Sequence, residues 1–176
     1  MLKRGSQYAV NSVGNNTVNI DPQTEIDLPC AKLHAANLRK AKMVGSNLQG
    51  ADLSEADLTM TDLSFADLTG ADLHSACLVG AKLTTAEMTL ANLEGADIRD
   101  ADLIGADLYG ANLRNTHLEG ALLFGADLCD ADLFGASLTG AMYDDATRWP
   151  DLLRPATRGA VLTAENDKTT KHRRSS

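Results

Sequence analysis

Cysteine is scarce, three in 176 residues, and no Cys-x-x-Cys spacing occurs, which excludes a disulfide framework and a thiolate zinc site. Aromatic residues make up 4% of the chain, with one tryptophan, so a core has to be assembled from small and aliphatic side chains. Long apolar runs are also missing, and the opening Met1-Leu2-Lys3-Arg4-Gly5-Ser6-Gln7 leads into no apolar stretch of signal-peptide length. A cytoplasmic location without a membrane-spanning segment is therefore expected. Yet 44% of the residues are apolar, too large a share for a chain disordered throughout. The length fits one domain.

What is there is a repeat. Ala-Asp-Leu or Ala-Asn-Leu recurs at 51–53, 56–58, 66–68, 71–73, 91–93, 101–103, 106–108, 111–113, 126–128 and 131–133, a period of five. Every fifth residue from Leu33 to Leu138 gives 22 positions, of which 19 are Leu, two are Met (Met43, Met88) and one is Ile98. Two residues earlier the position is Ala in 19 of 22 cases, and the exceptions Ser46, Thr61 and Thr116 are also small. Side-chain size is restricted there.

The period decides the local structure by elimination. On an α-helix, at about 100° per residue, leucines five apart step about 140° and leave no apolar stripe. On an uninterrupted strand five is odd, so successive leucines fall on opposite faces. Ala and Leu within one repeat are two apart and share a face, so a short extended piece followed by a corner turns both inward each time. Four corners close a coil of twenty residues, and coils stacked about 4.8 Å apart bond to one another through the backbone. Eleven of the 22 repeats carry glycine two residues after the Leu, as at Gly45, Gly70 and Gly140, where a corner is needed.

From about residue 31 to 142 the chain resembles the pentapeptide repeat family, whose pattern A-(D/N)-L-x-x it follows almost without interruption. The closing stretch Tyr143-Asp144-Asp145-Ala146-Thr147-Arg148-Trp149-Pro150 is similar to the ending of many cyanobacterial members. The resemblance implies an all-β fold, a right-handed quadrilateral β-helix of about six coils with short terminal caps. The expected organisation is an N-terminal flexible segment and cap (1–25), the β-helix (26–145), a C-terminal cap (146–162) and a basic tail (163–176). Solenoids need their ends covered, and Trp149, Leu152 and Leu153 are the expected lid.

Charge divides unevenly along this plan. Residues 26–145 hold 19 acidic and 7 basic side chains, a net of −12, while residues 146–176 hold 7 basic and 3 acidic, a net of +4. Counting by twenty stacks Asn47, Asp67, Glu87, Asp107 and Asp127 into one acidic column, and Lys42, Asp62, Lys82 and Asp102 into another of alternating sign that ends at Leu122. The first could attract cations or a basic partner; the second can neutralise itself. A competing account makes each Asp or Asn a backbone-bonding residue of its corner. Val44, Ile104, Leu122 and Phe124 share the alternating face, and Ile104, Leu122 and Phe124 are a candidate apolar contact for a homodimer.

Catalytic apparatus is not visible. His34 and His74 fall two coils apart, about 10 Å on that spacing, too far for one metal ion at bonds near 2 Å. His117 lies on another face, as do Cys77 and Cys129 relative to each other. The recurring Gly-x-x-x-x-Gly follows from the five-residue period, and no Gly-Lys-Ser/Thr completes a phosphate loop. No cofactor is expected, nor direct nucleic-acid binding. The leading expectation is a non-catalytic module that presents a rigid acidic rod to a protein partner through Asp67, Glu87, Asp107 and Asp127. The alternative, implied by the family resemblance, is a DNA mimic that binds DNA gyrase.

Overall fold

The computed structural model describes residues 27–163, so the expected N-terminal segment (1–25) and the tail beyond residue 163 lie outside the described residues. Parallel bridges join residues twenty apart along the chain, from Asp27↔Asn47 to Leu122↔Met142. Leu33 N–H donates to Asp52 O at 2.7 Å, and Asp52 N–H donates to Ala31 O at 2.9 Å. Each coil is thereby laced to the next while the chain rises steadily along one axis. Four sides per coil give four faces, named here by their central columns. Face I carries Lys42, Asp62, Lys82 and Asp102; face II, Asp67, Glu87, Asp107 and Asp127; face III, Asp52, Asp72, Asn92, Asn112 and Asp132; face IV, Asn37, Asp57, Cys77, Asp97 and His117.

The inward residues form one continuous core. From Leu48 to Leu128 every Leu, Met or Ile of the five-residue register is fully buried, and the Ala two residues before shares that burial. Alanine is required beside leucine because four sides converge on a narrow interior packed at solid density, where a larger residue would collide.

The corners explain the glycines and more. Ala36 N–H donates to Leu33 O at 3.0 Å, and the same bond closes the turn at later repeats. The second central residue has positive φ, from 51° at Thr85 to 75° at Gly135, as a type II turn demands. Glycine meets this without strain, but twelve corners from Cys30 to Asp130 place other residues in the same left-handed conformation. Each such residue costs about 1 kcal/mol or more, a strain held in place by the coil-to-coil bonding on either side.

Three small inner positions are polar. Thr61 Oγ1 donates to Leu38 O at 2.7 Å and Thr116 Oγ1 to Leu93 O at 3.0 Å, so both buried hydroxyls are satisfied by the coil below. Ser46 is equally buried and its Oγ has no partner among the described residues. Ser46→Ala is therefore expected to raise the unfolding free energy by about 1 kcal/mol, seen as a higher urea midpoint at unchanged slope.

At the C-terminal end the period slips. Asp127 pairs with Arg148, twenty-one residues on, because the turn after β1 (Met142–Tyr143) holds one extra residue. Thr147 then occupies an inner small position, its Oγ1 donating to Leu123 O at 2.8 Å, and Trp149 follows where a leucine would stand. Tyr143 and Trp149 meet edge to face at 5.5 Å between centroids. A 3-10 turn (Pro155–Arg158) leads into β2 (Val161–Leu162), which pairs parallel with β1. Gly159, at φ 85°, passes so close to Thr139 that a Cβ would lie 3.2 Å from its Cα. Arg158 Nη1 donates to Leu133 O at 2.7 Å, and Ala160 is buried.

The lid expected from sequence needs one correction. Trp149 and Leu153 pack against the core, but Leu152 is fully exposed. It is the second central residue of the turn in which Leu153 N–H donates to Pro150 O, and its φ of 66° turns the side chain outward as at any other corner. Ala160 and the Arg158 guanidinium cover the end in its place.

Candidate functional site

The outward columns follow from an accounting of backbone donors. In each repeat the Ala, the Asp or Asn, the Leu and the second corner residue donate to backbone carbonyls, as Ala51, Asp52, Leu53 and Glu55 do. The first corner residue is left over. Its N–H is taken by the side-chain oxygen of the Asp or Asn two residues earlier: Thr69 to Asp67 at 2.9 Å, Tyr109 to Asp107 at 2.9 Å, Cys129 to Asp127 at 3.0 Å. Asn37, Asn47, Asn92 and Asn112 do the same without a charge. The pattern A-(D/N)-L thus selects a short side chain carrying an acceptor, the geometry of an Asx turn. Glu87 is one methylene longer and makes no such bond among those described.

On the other three faces most carboxylates have a basic or amide partner, although among the described residues Asp102 on face I bonds only the Ile104 N–H. On face I, Lys82 Nζ lies 3.8 Å from Asp62 Oδ2. On face III, Asp52 meets Lys32, Asp132 meets Arg114 at 2.8 Å, and Asp72 accepts from Asn92 Nδ2 at 2.9 Å. On face IV, Asp57 meets Arg39 at 3.2 Å and Asp97 meets Arg99 at 2.7 Å.

Face II differs. Bridges stack Asp67, Glu87, Asp107 and Asp127 directly on one another. Asp127 is paired with Arg148, but no described basic or amide side chain bonds Asp67, Glu87 or Asp107. The predicted acidic column is thus three bare carboxylate-bearing residues with a neutralised fourth at the C-terminal end. Arg148 escaped the sequence reading because it lies past the slip in register, where counting by twenty fails.

Titration follows the same contacts. The Ser54 hydroxyl bonded to Asp52 holds that carboxyl below the usual range, with the Ser54 N–H and Lys32 adding to the effect. The Asp72 carboxylate, 3.0 Å from His74 Nδ1, raises the imidazole above its ordinary value, helped by Glu55 and Asp52. His34 Nδ1 lies 2.8 Å from Ser54 Oγ, whose proton goes to Asp52 Oδ1 at 2.6 Å. Sequence reasoning overlooked this trio, whose members are two and twenty residues apart. It is no nucleophilic site, since Ser54 is buried and its proton is committed to the carboxylate beside it.

The apolar candidates are less prominent than expected. Ile104, Leu122 and Phe124 do line face I, but each is half-buried. Leu122, for one, is stacked between Asp102 and Met142. Val44 and the corner residues Met60 and Phe65 stand out instead, at 55%, 58% and 65% exposure. Cys30, Cys77 and Cys129 are free thiols. Among the described residues no cluster of three or more His, Cys, Asp or Glu is arranged to hold a metal ion.

Comparison with known proteins agrees with this geometry. The family model described as Pentapeptide repeats matches in eight copies over residues 31–64, 46–84, 86–123 and 111–142. The chain is similar to Rfr23, a pentapeptide repeat protein of the cyanobacterium Cyanothece 51142, at 28% identity and a TM-score of 0.53, over 70% of this chain and 90% of that one. It is 35% identical to HetL of Nostoc sp. strain PCC 7120, a pentapeptide repeat protein involved in heterocyst differentiation regulation, over 80% of this chain and 72% of that one, with a TM-score of 0.38. QnrB1, a plasmid-mediated fluoroquinolone resistance protein, matches at 16% identity over 81% of this chain and 92% of that one, with a TM-score of 0.43. No curated protein matches the chain.

Proposed function

The chain belongs to the pentapeptide repeat family, and on that premise we propose that it is a non-catalytic interaction module: a right-handed quadrilateral β-helix of about six coils, acting in the cytoplasm, that presents face II to a basic surface of a protein partner. The observation that carries this reading is the bare run Asp67, Glu87 and Asp107. Carboxylates stacked about 4.8 Å apart repel one another, and a cationic partner relieves that repulsion while steering its own approach. Arg148 limits the run at one end by occupying Asp127.

The test neutralises the charge and keeps the backbone bonds. Asp67→Asn and Asp107→Asn retain the oxygen that Thr69 and Tyr109 N–H require, and Glu87→Gln completes the set. Proteins retained by the immobilised chain at low salt are expected to be released by moderate salt and lost from the triple variant. The same proteins retained by both chains would remove face II from the function.

The regular carboxylate spacing also favours a second reading, a DNA mimic that engages DNA gyrase. On that reading the chain modulates gyrase supercoiling in a salt-sensitive way and the triple variant does not; supercoiling unchanged at a large excess of the chain discards it.

A further inference from the structure

We propose that face I is a self-association surface through which two copies of this chain pair as antiparallel rods. The inference stands apart from the reading of face II, which lies outside the proposed contact.

When two identical faces meet, the two-fold axis lies in the plane of contact, and its direction decides which residues oppose. An axis along the rods sets the central column against itself in register, Lys42 on Lys42 and Asp62 on Asp62, which is repulsive along that column. An axis across the rods reverses one copy. Placed between the coil of Asp62 and the coil of Lys82, it sets Lys42 opposite the partner's Asp102 and Asp62 opposite the partner's Lys82. Alternating sign along one column, as the bridges Lys42↔Asp62, Asp62↔Lys82 and Lys82↔Asp102 arrange it, becomes opposite sign across the interface. The Lys82–Asp62 contact within each copy, at 3.8 Å, then joins a four-charge network.

The same axis makes the flanking columns agree. The corner residue Lys40 meets the partner's Asp100, a second charge pair outside the central column. Val44, 55% exposed, meets the partner's Ile104, apolar on apolar. Met60, 58% exposed, projects toward the partner's Gly80, where no side chain stands in its way. On the other corner Gly45 faces the partner's Gly105, and Phe65, 65% exposed, meets the partner's Thr85. The segments 40–45 and 100–105, Lys-Ala-Lys-Met-Val-Gly and Asp-Ala-Asp-Leu-Ile-Gly, are thus complementary position by position in their outward residues.

On face II the same operation sets acid against acid, Asp67 on the partner's Asp127 and Glu87 on the partner's Asp107. Compared with the homodimer contact expected from sequence, this register keeps Ile104 and leaves Leu122 and Phe124 beyond the partner's Lys42. Four coils about 4.8 Å apart offer less than the roughly 800 Å² per partner of a standard stable interface, so the dimer is weak and concentration-dependent.

Sedimentation velocity of the full chain, from micromolar to millimolar concentration at low salt, tests this directly. The weight-average sedimentation coefficient is expected to rise with concentration and fall back on addition of salt. Lys40→Asp or Asp100→Lys alone sets two like-charge pairs across the interface and should weaken association about tenfold. The double swap on one chain restores both pairs and should recover it. Neither side chain has a described bond within its own chain, and this protein already accommodates both residue types at left-handed corners, so thermal unfolding of all variants should match the wild type. A chain that stays monomeric throughout, single variants that associate as well as the wild type, or a double swap that recovers nothing would each overturn the proposal.

Discussion

Leu93→Ala is expected to lower the unfolding free energy by about 3–4 kcal/mol. Leu93 is fully buried in a column between Leu73 and Leu113, with Ala91 equally buried on its own side. The loss includes the transfer free energy of the deleted atoms and a cavity that the surroundings cannot close. They cannot close it because the backbone is fixed on both sides: Leu73 N–H donates to Asn92 O at 2.7 Å and Leu93 N–H to Asn112 O at 2.8 Å. Collapse of the coil would break both rows. Leu152→Ala, at an exposed corner of the lid, is the contrasting change and should cost almost nothing. Urea unfolding followed by far-ultraviolet circular dichroism measures both; equal losses at Leu93 and Leu152 would contradict the placement of the core.

Asp144→Ala should cost about 2–3 kcal/mol, as removal of a charged acceptor from several donors does. Asp144 Oδ1 accepts from Gly125 N–H at 2.9 Å, Ala146 N–H at 3.1 Å and Thr147 N–H at 3.0 Å, and lies 2.9 Å from Thr147 Oγ1, whose one proton is shared between this carboxylate and Leu123 O. This one carboxylate rejoins the chain to the stack after the extra residue of the last turn. The Gly125 N–H holds it below the usual carboxylate range, the Thr147 hydroxyl and turn N–H groups add to this, and burial opposes them. The sign for pH follows: a depressed folded pKa contributes stability that is present above the unfolded value near 3.8 and is lost as pH falls through the folded value. The Asp144→Ala chain should therefore lose less stability than the wild type between pH 5 and strong acid, taking those limits as roughly the titration range of a carboxylate. Thermal unfolding across that range checks both statements, and a loss below about 0.5 kcal/mol at neutral pH would show that water replaces the carboxylate at these donors.

Much of the architecture was legible because five-residue spacing leaves few solutions. The inward Ala and Leu, the corner glycines and the stacked columns all follow from counting. Counting fails wherever the register slips: Arg148 reached Asp127 only because one residue was added after β1, and β2 and the Arg158 contact come after that slip. Leu152 misled because apolar character suggested burial while its place in a turn dictated exposure. The twelve non-glycine corners were not legible either, since nothing local marks Thr85 or Phe65 as left-handed; the imposed coil does. On the surface, sequence located the acidic column but not its bare section, because neutralisation depends on which long basic side chains reach which neighbours.

The central claim is that Asp stands before each Leu for its oxygen, leaving charge free to serve a partner only where no cation answers it. Thermal unfolding of the Asp67→Asn/Asp107→Asn double variant beside Asp67→Ala/Asp107→Ala tests it most directly. The account predicts that the Asn pair is at least as stable as the wild type, having kept the acceptor oxygens and shed the repulsion around Glu87, while the Ala pair loses about 1 kcal/mol per site relative to the Asn pair. An Asn pair no more stable than the Ala pair, or an Asn pair less stable than the wild type, would contradict it.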